Sequence, residues 1–151
     1  MMETTSKMEI VADEEDVARI LFSPLFICEG VLSQKAFTLE QAKDESYISV
    51  LRPAIDSFNA DMTGIKKEDN VVFGYALLNV GEVRHAKFDY SVPLRLDVLP
   101  RNAGKRKSHA GIFATIGCVK VKGGSPQSVA RLMMRMRLVN IAQKRIVEFS
   151  R

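Results

Sequence analysis

The sequence predicts an α+β fold, an antiparallel β-sheet with one long C-terminal helix packed on one face and short helices in the first half. Apolar segments of strand length recur between turn residues, and a capped helical segment stands near the C-terminus. The chain lacks the long crossover helices that a parallel sheet requires. Its 151 residues, 46% of them hydrophobic, suit one core, so we predict a flexible tail over 1–10 and a single domain over 11–151.

The first half of the chain predicts three strands and two short helices. Ser23-Pro24 ends the first strand because a proline cannot donate a hydrogen bond to a ladder. Thr38 and Gln41 have the spacing of a capping box, and Pro53 suits the first turn of a helix. The predicted strands lie at 18–22, 25–28 and 47–51, and the predicted helices lie at 38–43 and 54–61.

The second half predicts four strands and the long helix. The most apolar run, 71–80, fits a central strand, and apolar residues alternate with others over 92–99. A Gly-Gly-Ser-Pro segment at 123–126 ends the last strand and begins the helix, with Ser125 as the N-cap residue. The predicted strands lie at 71–80, 83–90, 92–99 and 110–121, and the helix lies at 127–148.

The long helix is apolar around more than half of its circumference. One stripe is expected to pack on the sheet and comprises Val129, Leu132, Met133, Met136, Val139, Ile146 and Val147. Met134, Leu138 and Ile141 lie opposite that stripe. They indicate a second buried face, covered either by sheet or by another subunit, so one functional alternative is a homo-oligomeric assembly subunit that associates through this helix.

Charge is divided unequally along the chain. Residues 1–82 carry 7 Lys and Arg against 15 Asp and Glu, whereas residues 83–151 carry 15 against 3. This asymmetry predicts a small binding module whose basic C-terminal half contacts nucleic acid or an acidic protein partner. The alternative is an acidic half that folds against a basic one. The predicted binding cations are Arg101, Lys105, Arg106, Lys107, Arg131, Arg135 and Arg145.

Four polar residues in or beside apolar strand segments form a candidate catalytic group, namely Arg19, Ser49, Arg52 and His109. A guanidinium group binds phosphate through two parallel hydrogen bonds. The cations around His109 favour a neutral imidazole, which can act as a base. A second functional alternative is therefore a small enzyme that uses these residues on a nucleotide or nucleic acid, while outward-facing strand positions explain the same residues without a site.

Other classes of function find little support in the sequence. Cys28, Cys118, His85 and His109 lack the spacing of a zinc site, so we predict neither a metal nor a cofactor. No apolar run approaches the roughly 20 residues that span a bilayer. The acidic N-terminal segment lacks the apolar core of a signal peptide, and we therefore expect a cytoplasmic protein with no membrane partner.

Short motifs in about a third of the chain resemble a loosely defined group of small, uncharacterised bacterial proteins. The motifs are an Arg-initiated strand at Arg19, Gly-x-x-Ser-x-x-Ala-Phe at 30–37, Ser-Val-x-Arg at 49–52 and His-Ala-x-Ile at 109–112. The resemblance implies no activity, but it favours a shared site for the four candidate catalytic residues. A weaker likeness to ADP-ribosyltransferase-type folds rests on Arg19 and Ser49, and the absence of their Gln/Glu-x-Glu pattern argues against NAD chemistry.

Overall fold

The structure is a computed structural model that describes residues 10–65, 70–91, 93–102, 104 and 106–149. The strands in this part of the chain are β1 (Asp16–Ser23), β2 (Ile27–Cys28), β3 (Val31–Leu32), β4 (Ile48–Leu51), β5 (Val71–Asn79), β6 (Leu94–Pro100), β7 (His109–Ile116), β8 (Val119–Lys120) and β9 (Ile146–Glu148). The helices are a 3₁₀-helix (Gln34–Phe37), α1 (Phe58–Thr63), α2 (Val80–Arg84) and α3 (Ser128–Ala142).

Antiparallel pairing joins most of the strands into one sheet. The order is β6-β7-β4-β1-β5-β9, with β8 added to β7, and β2 pairs with β3 in a separate hairpin. α3 contacts β5, α2 and the 3₁₀-helix, while α2 contacts β6. The predicted α+β class, with an antiparallel sheet and one long helix near the C-terminus, is confirmed.

The two faces of the sheet have different environments. Residues paired across antiparallel strands share a face, and the pair of Val98 with Ile112 is fully buried on the face that α3 and α2 cover. Ser49 and Leu99 both pair with Gly111 on the opposite face and are exposed. We call that surface of β4, β7 and β6 the open face.

On the same side of the sheet as the open face, α1 contacts β4 and packs on Tyr75 of β5. Phe58 packs edge to face on Tyr75, with ring centroids 5.6 Å apart. Tyr75 is half-buried and pairs with Ile20, which is buried. The open face therefore ends at α1, which lies on the same side of the sheet.

Several predicted elements in the first half differ from those observed. The capping box predicted at Thr38 is wrong, since the helical turn lies earlier, at Gln34–Phe37, and the Ser33 hydroxyl caps it by accepting from the Lys35 amide. The helix predicted at 54–61 is shorter and begins at Phe58. Here the Ser33 cap determines the position of the helical turn.

The second half contains two further differences. The strand predicted at 83–90 is wrong, because α2 begins at Val80 with the Asn79 side chain accepting from the Glu82 amide. The strand predicted at 110–121 is a hairpin of β7 and β8 that turns at Gly117, whose φ of 62° is readily adopted only by glycine.

The main buried face of α3 is the one that the sequence placed opposite the predicted stripe, while Met133 and Val139 of that stripe are half-buried. Its buried residues are Ala130, Met134, Leu138, Ile141 and Ala142. Val129, Leu132 and Met136, which belong to the predicted core stripe, are 55%, 39% and 54% exposed. The helix also ends at Ala142, and residues 146–148 form β9 beside β5. The inner face thus combines two alanines with three large apolar side chains.

Candidate functional site

A cleft opens where β1 and β4 separate. Every residue from Asp16 to Ser23 pairs with β5, but β1 and β4 share only the pair of Ala18 with Leu51. The Arg19 side chain lies in the resulting gap. Its Nη1 donates to the Ser49 carbonyl oxygen at 2.9 Å, and its Nε donates to the Ala36 carbonyl oxygen at 2.7 Å. A guanidinium group thus satisfies a backbone acceptor on a strand that has lost its neighbour.

The cleft has a volume of about 560 Å³, within the range of small-molecule sites. Its lining combines apolar strand residues with basic and hydroxyl side chains, and none of the lining residues in the described part of the chain is a carboxylate. The polar lining residues are Arg19, Lys43, Ser49, Arg106 and His109. The cleft is therefore suited to an anion.

Ser49 and His109 are in contact across β4 and β7. His109 Nε2 lies 3.2 Å from Ser49 Oγ. Burial lowers the pKa of His109 below its usual 6.5, and the nearby Arg106 and Arg101 lower it further. The imidazole is consequently neutral at pH 7 and able to accept a hydrogen bond from a hydroxyl or to donate one to an anion.

Arg19 contributes charge from inside the sheet. Burial lowers its pKa to about 10, although Glu45 and Glu40 oppose that change, so the guanidinium remains a cation at pH 7. Its Cζ also lies 5.1 Å from the ring centroid of Phe26. Arg19 therefore helps hold the cleft open and also makes its inner end positive.

Arg52 is not part of the cleft. Its side chain is fully buried and pairs with Glu15, at 3.0 Å from Nε to Oε1 and 2.9 Å from Nη2 to Oε2. Nη2 also donates to the Ile10 carbonyl oxygen at 2.9 Å. Of the four candidate catalytic residues, the structure brings Arg19, Ser49 and His109 together and gives Arg52 a structural ion pair.

A partly buried hydrogen-bond network positions the basic side of the cleft. Asp61 of α1 accepts from the Ser108 amide at 3.0 Å, from the Ser108 hydroxyl at 2.6 Å and from the Ser57 hydroxyl at 2.9 Å. Ser108 is fully buried and directly precedes His109. Arg106 Nη2 lies 3.4 Å from the Gly64 carbonyl oxygen at the end of α1. The network thereby holds the loop before β7 against α1.

The open face adjoins the cleft at His109 and carries two further aromatic rings. The ring centroids of Tyr47 and His109 are 6.0 Å apart, and those of Tyr47 and Phe113 are 5.1 Å apart. Arg101 Cζ lies 4.9 Å from the Tyr47 ring centroid, and Lys120 Nζ lies 5.3 Å from that of Phe113. The Tyr47 ring packs directly on Gly111, where a Cβ atom would lie 2.6 Å from Tyr47 Cδ2. The surface is thus a row of rings flanked by cations.

The predicted binding cations fall on different parts of the molecule. Arg101 and Arg106 border the open face and the cleft, Lys107 is exposed beside them, and Lys105 lies outside the described residues. The other three predicted binding cations belong to α3 and the segment after it, on the other face of the sheet. Of these, Arg131 donates to the Ser125 carbonyl oxygen, Arg145 pairs with Asp16 at 2.7 and 2.8 Å, and Arg135 is half-buried.

Sequence reasoning missed Lys43, Tyr47, Phe113 and Lys120. A signal was present, because Tyr47 and Ser49 are two residues apart, as are His109, Gly111 and Phe113. Recognising that these positions form one surface requires the β4–β7 register, in which Ser49 pairs with Gly111. The two-residue spacing alone shows only that Tyr47 and Ser49 share a face of one strand, and that His109, Gly111 and Phe113 share a face of another.

Comparisons with known proteins leave the function to be argued from this geometry. No protein-family model matches the chain, and no curated protein or solved structure shows significant similarity to it. The resemblance to a group of bacterial proteins stays a prediction. In the described part of the chain no helix has the length and apolar character needed to cross a membrane. The same residues include no cluster of three His, Cys, Asp or Glu side chains with metal-binding geometry.

Proposed function

We propose that the protein binds single-stranded nucleic acid across the open face of β4, β7 and β6. The observation that carries the proposal is the row of rings formed by Tyr47, His109 and Phe113 with Arg101 and Lys120 beside it. Proteins that bind single strands combine aromatic side chains, on which bases stack, with cations that neutralise the phosphates.

The accessible part of this row is Tyr47 with His109, since both are half-buried and Phe113 is 6% exposed. Phe113 supports the Tyr47 ring from the sheet side. Arg101 lies over Tyr47, and a guanidinium plane is itself a surface on which a base stacks. A protein partner could also contact the rings, but a nucleic acid offers flat bases for the rings together with phosphates for the adjacent cations, and we therefore favour a nucleic acid.

The test is a titration of fluorescent single-stranded DNA and RNA of about 12 nucleotides, followed by polarisation. We expect Tyr47→Ala to weaken binding by about 5- to 150-fold, because stacking of one base contributes about 1–3 kcal/mol. Arg101→Ala should lower the slope of log K against log salt by about 0.7, the value for one phosphate contact on a single strand.

Arg135→Ala is the matched control, since it removes the same charge from α3 on the opposite face of the sheet. Binding by this variant should equal that of the unaltered chain. Absence of binding at about 50 mM salt would refute the proposal, and so would equal losses in the Arg101 and Arg135 variants. In that second case the binding would reflect overall charge rather than this surface.

The contact between Ser49 and His109 favours a second candidate, an enzyme that hydrolyses a phosphate ester. Ser49 Oγ would attack phosphorus while His109 Nε2 accepts its proton and passes it to the departing ester oxygen. Water would then hydrolyse the phosphoserine and release inorganic phosphate. The test is phosphate release from phosphorylated oligonucleotides and nucleotides, and activity that survives Ser49→Ala would refute this candidate.

A further inference from the structure

The cleft and the open face are continuous through one side chain. His109 contacts Ser49 inside the cleft and packs beside Tyr47 on the open face, at a ring-centroid distance of 6.0 Å. A base stacked on Tyr47, or on the Arg101 guanidinium that lies over it, would bring a neighbouring phosphate toward the mouth of the cleft. This adjacency gives the cleft a role for the same ligand that the open face would bind.

The charges of the cleft fit a dianion better than a monoanion. Lys43 and Arg106 are exposed at its rim, and Arg19 supplies a third positive charge from within. Glu40, Glu45 and Asp61 lie near these cations but do not line the cleft, and Glu40 pairs with Lys43 at 3.3 Å. A phosphomonoester carries about two negative charges at pH 7, whereas the diester within a strand carries one.

The walls of the cleft oppose the passage of a nucleic-acid strand that continues beyond it. Ile20, Phe22 and Leu51 form the apolar sheet side of the cleft, and Ile65 lies on the side of α1. A strand that continued past the cleft would bring its next charged phosphate against these apolar side chains, at a desolvation cost. A nucleic-acid strand whose end lies in the cleft avoids that cost.

We propose that the cleft is a terminal-phosphate site, which holds the phosphomonoester at one end of a single strand whose bases lie on the open face. Ser49 Oγ donates a hydrogen bond to the phosphate, and Lys43 and Arg106 neutralise it. This inference rests on the proposed nucleic-acid binding. It adds that the protein distinguishes phosphorylated ends from hydroxyl ends.

The experiment compares one oligonucleotide sequence in three forms, with a 5′-phosphate, with a 3′-phosphate and with hydroxyl groups at both ends. We expect one phosphorylated form to bind about tenfold or more tightly than the hydroxyl form, as for one charge-assisted contact. Arg106→Ala and Lys43→Ala should remove most of that difference. Lys107→Ala is the matched control, because Lys107 follows Arg106 but does not line the cleft, and the preference should persist in this variant.

The outcomes separate this inference from the proposed function. Equal affinity for the three forms, with binding that still depends on Tyr47, would overturn the terminal-phosphate site and leave nucleic-acid binding intact. A preference for phosphate that Lys107→Ala removes as effectively as Arg106→Ala would also overturn it. No binding of any form at low salt would overturn both.

Discussion

The buried pair of Arg52 and Glu15 provides the sharpest test of the fold. Arg52 is 0% exposed and Glu15 is 12% exposed, and two nitrogens of the guanidinium contact both carboxylate oxygens. Removing one partner of a buried pair leaves the other charge uncompensated, which costs about 3–5 kcal/mol. We therefore expect Glu15→Gln, which keeps the size of the side chain, to lower the free energy of unfolding by about 3–5 kcal/mol.

The measurement is urea denaturation at pH 7 followed by circular dichroism, with the midpoint and the slope fitted separately. For a chain of this length the loss corresponds to a fall in Tm of about 6–20 °C. Asp16→Asn is the control, because it weakens the more exposed pair with Arg145 and should cost about 0–1 kcal/mol. The double variant Glu15→Leu with Arg52→Met should recover much of the loss, since neither buried charge remains. A loss for Glu15→Gln no larger than that for Asp16→Asn would show that the Arg52 pair contributes no more than an exposed one.

Three further predictions concern the cleft and the sheet. Arg106→Ala should raise the pKa of His109 toward 6.5, since Arg106 is one of the charges that lower it, and NMR titration of the ring protons measures this change. Burial alone would raise the pKa of Asp61, but hydrogen bonds from Ser108 hold it below its usual 3.8. The stabilisation that this carboxylate contributes is therefore present above about pH 4 and is lost as the pH falls further, so acid denaturation of Asp61→Asn should depend less on pH in that range. Gly74→Ala should detach β9, because a Cβ atom there overlaps the β9 backbone, and amide hydrogen exchange of residues 146–148 would then become fast.

Periodicity and turn chemistry were sufficient to predict the fold class but not the packing of α3. Apolar residues lie on both sides of that helix, so the pattern alone does not identify the face that meets the sheet. In the structure the face with Met134, Leu138 and Ile141 packs on the core. The exposed stripe of Val129, Leu132 and Met136 leaves self-association through α3 as a prediction that the mass in solution would test.

The candidate site was predictable only in part, for reasons visible in single residues. Arg19, Ser49 and His109 share the cleft, as a common site requires. Arg52 belongs to the same Ser-Val-x-Arg motif as Ser49, yet its side chain pairs with Glu15, 37 residues earlier in the chain. Whether an arginine beside a strand faces a cleft or the core depends on such a distant partner. A local motif contains no information about it.

Arg19 connects the interruption of the sheet with the origin of the cleft. A complete β1–β4 ladder would supply the Ser49 carbonyl oxygen with a backbone donor, and no gap would remain between the strands. Here the guanidinium supplies that hydrogen bond and a second one to the 3₁₀-helix, so the two strands separate without leaving these carbonyl groups unsatisfied. The same side chain brings a positive charge into the space that it keeps open. An apolar residue at this position would remove both of these hydrogen bonds, and the cleft would lose the positive charge at its inner end.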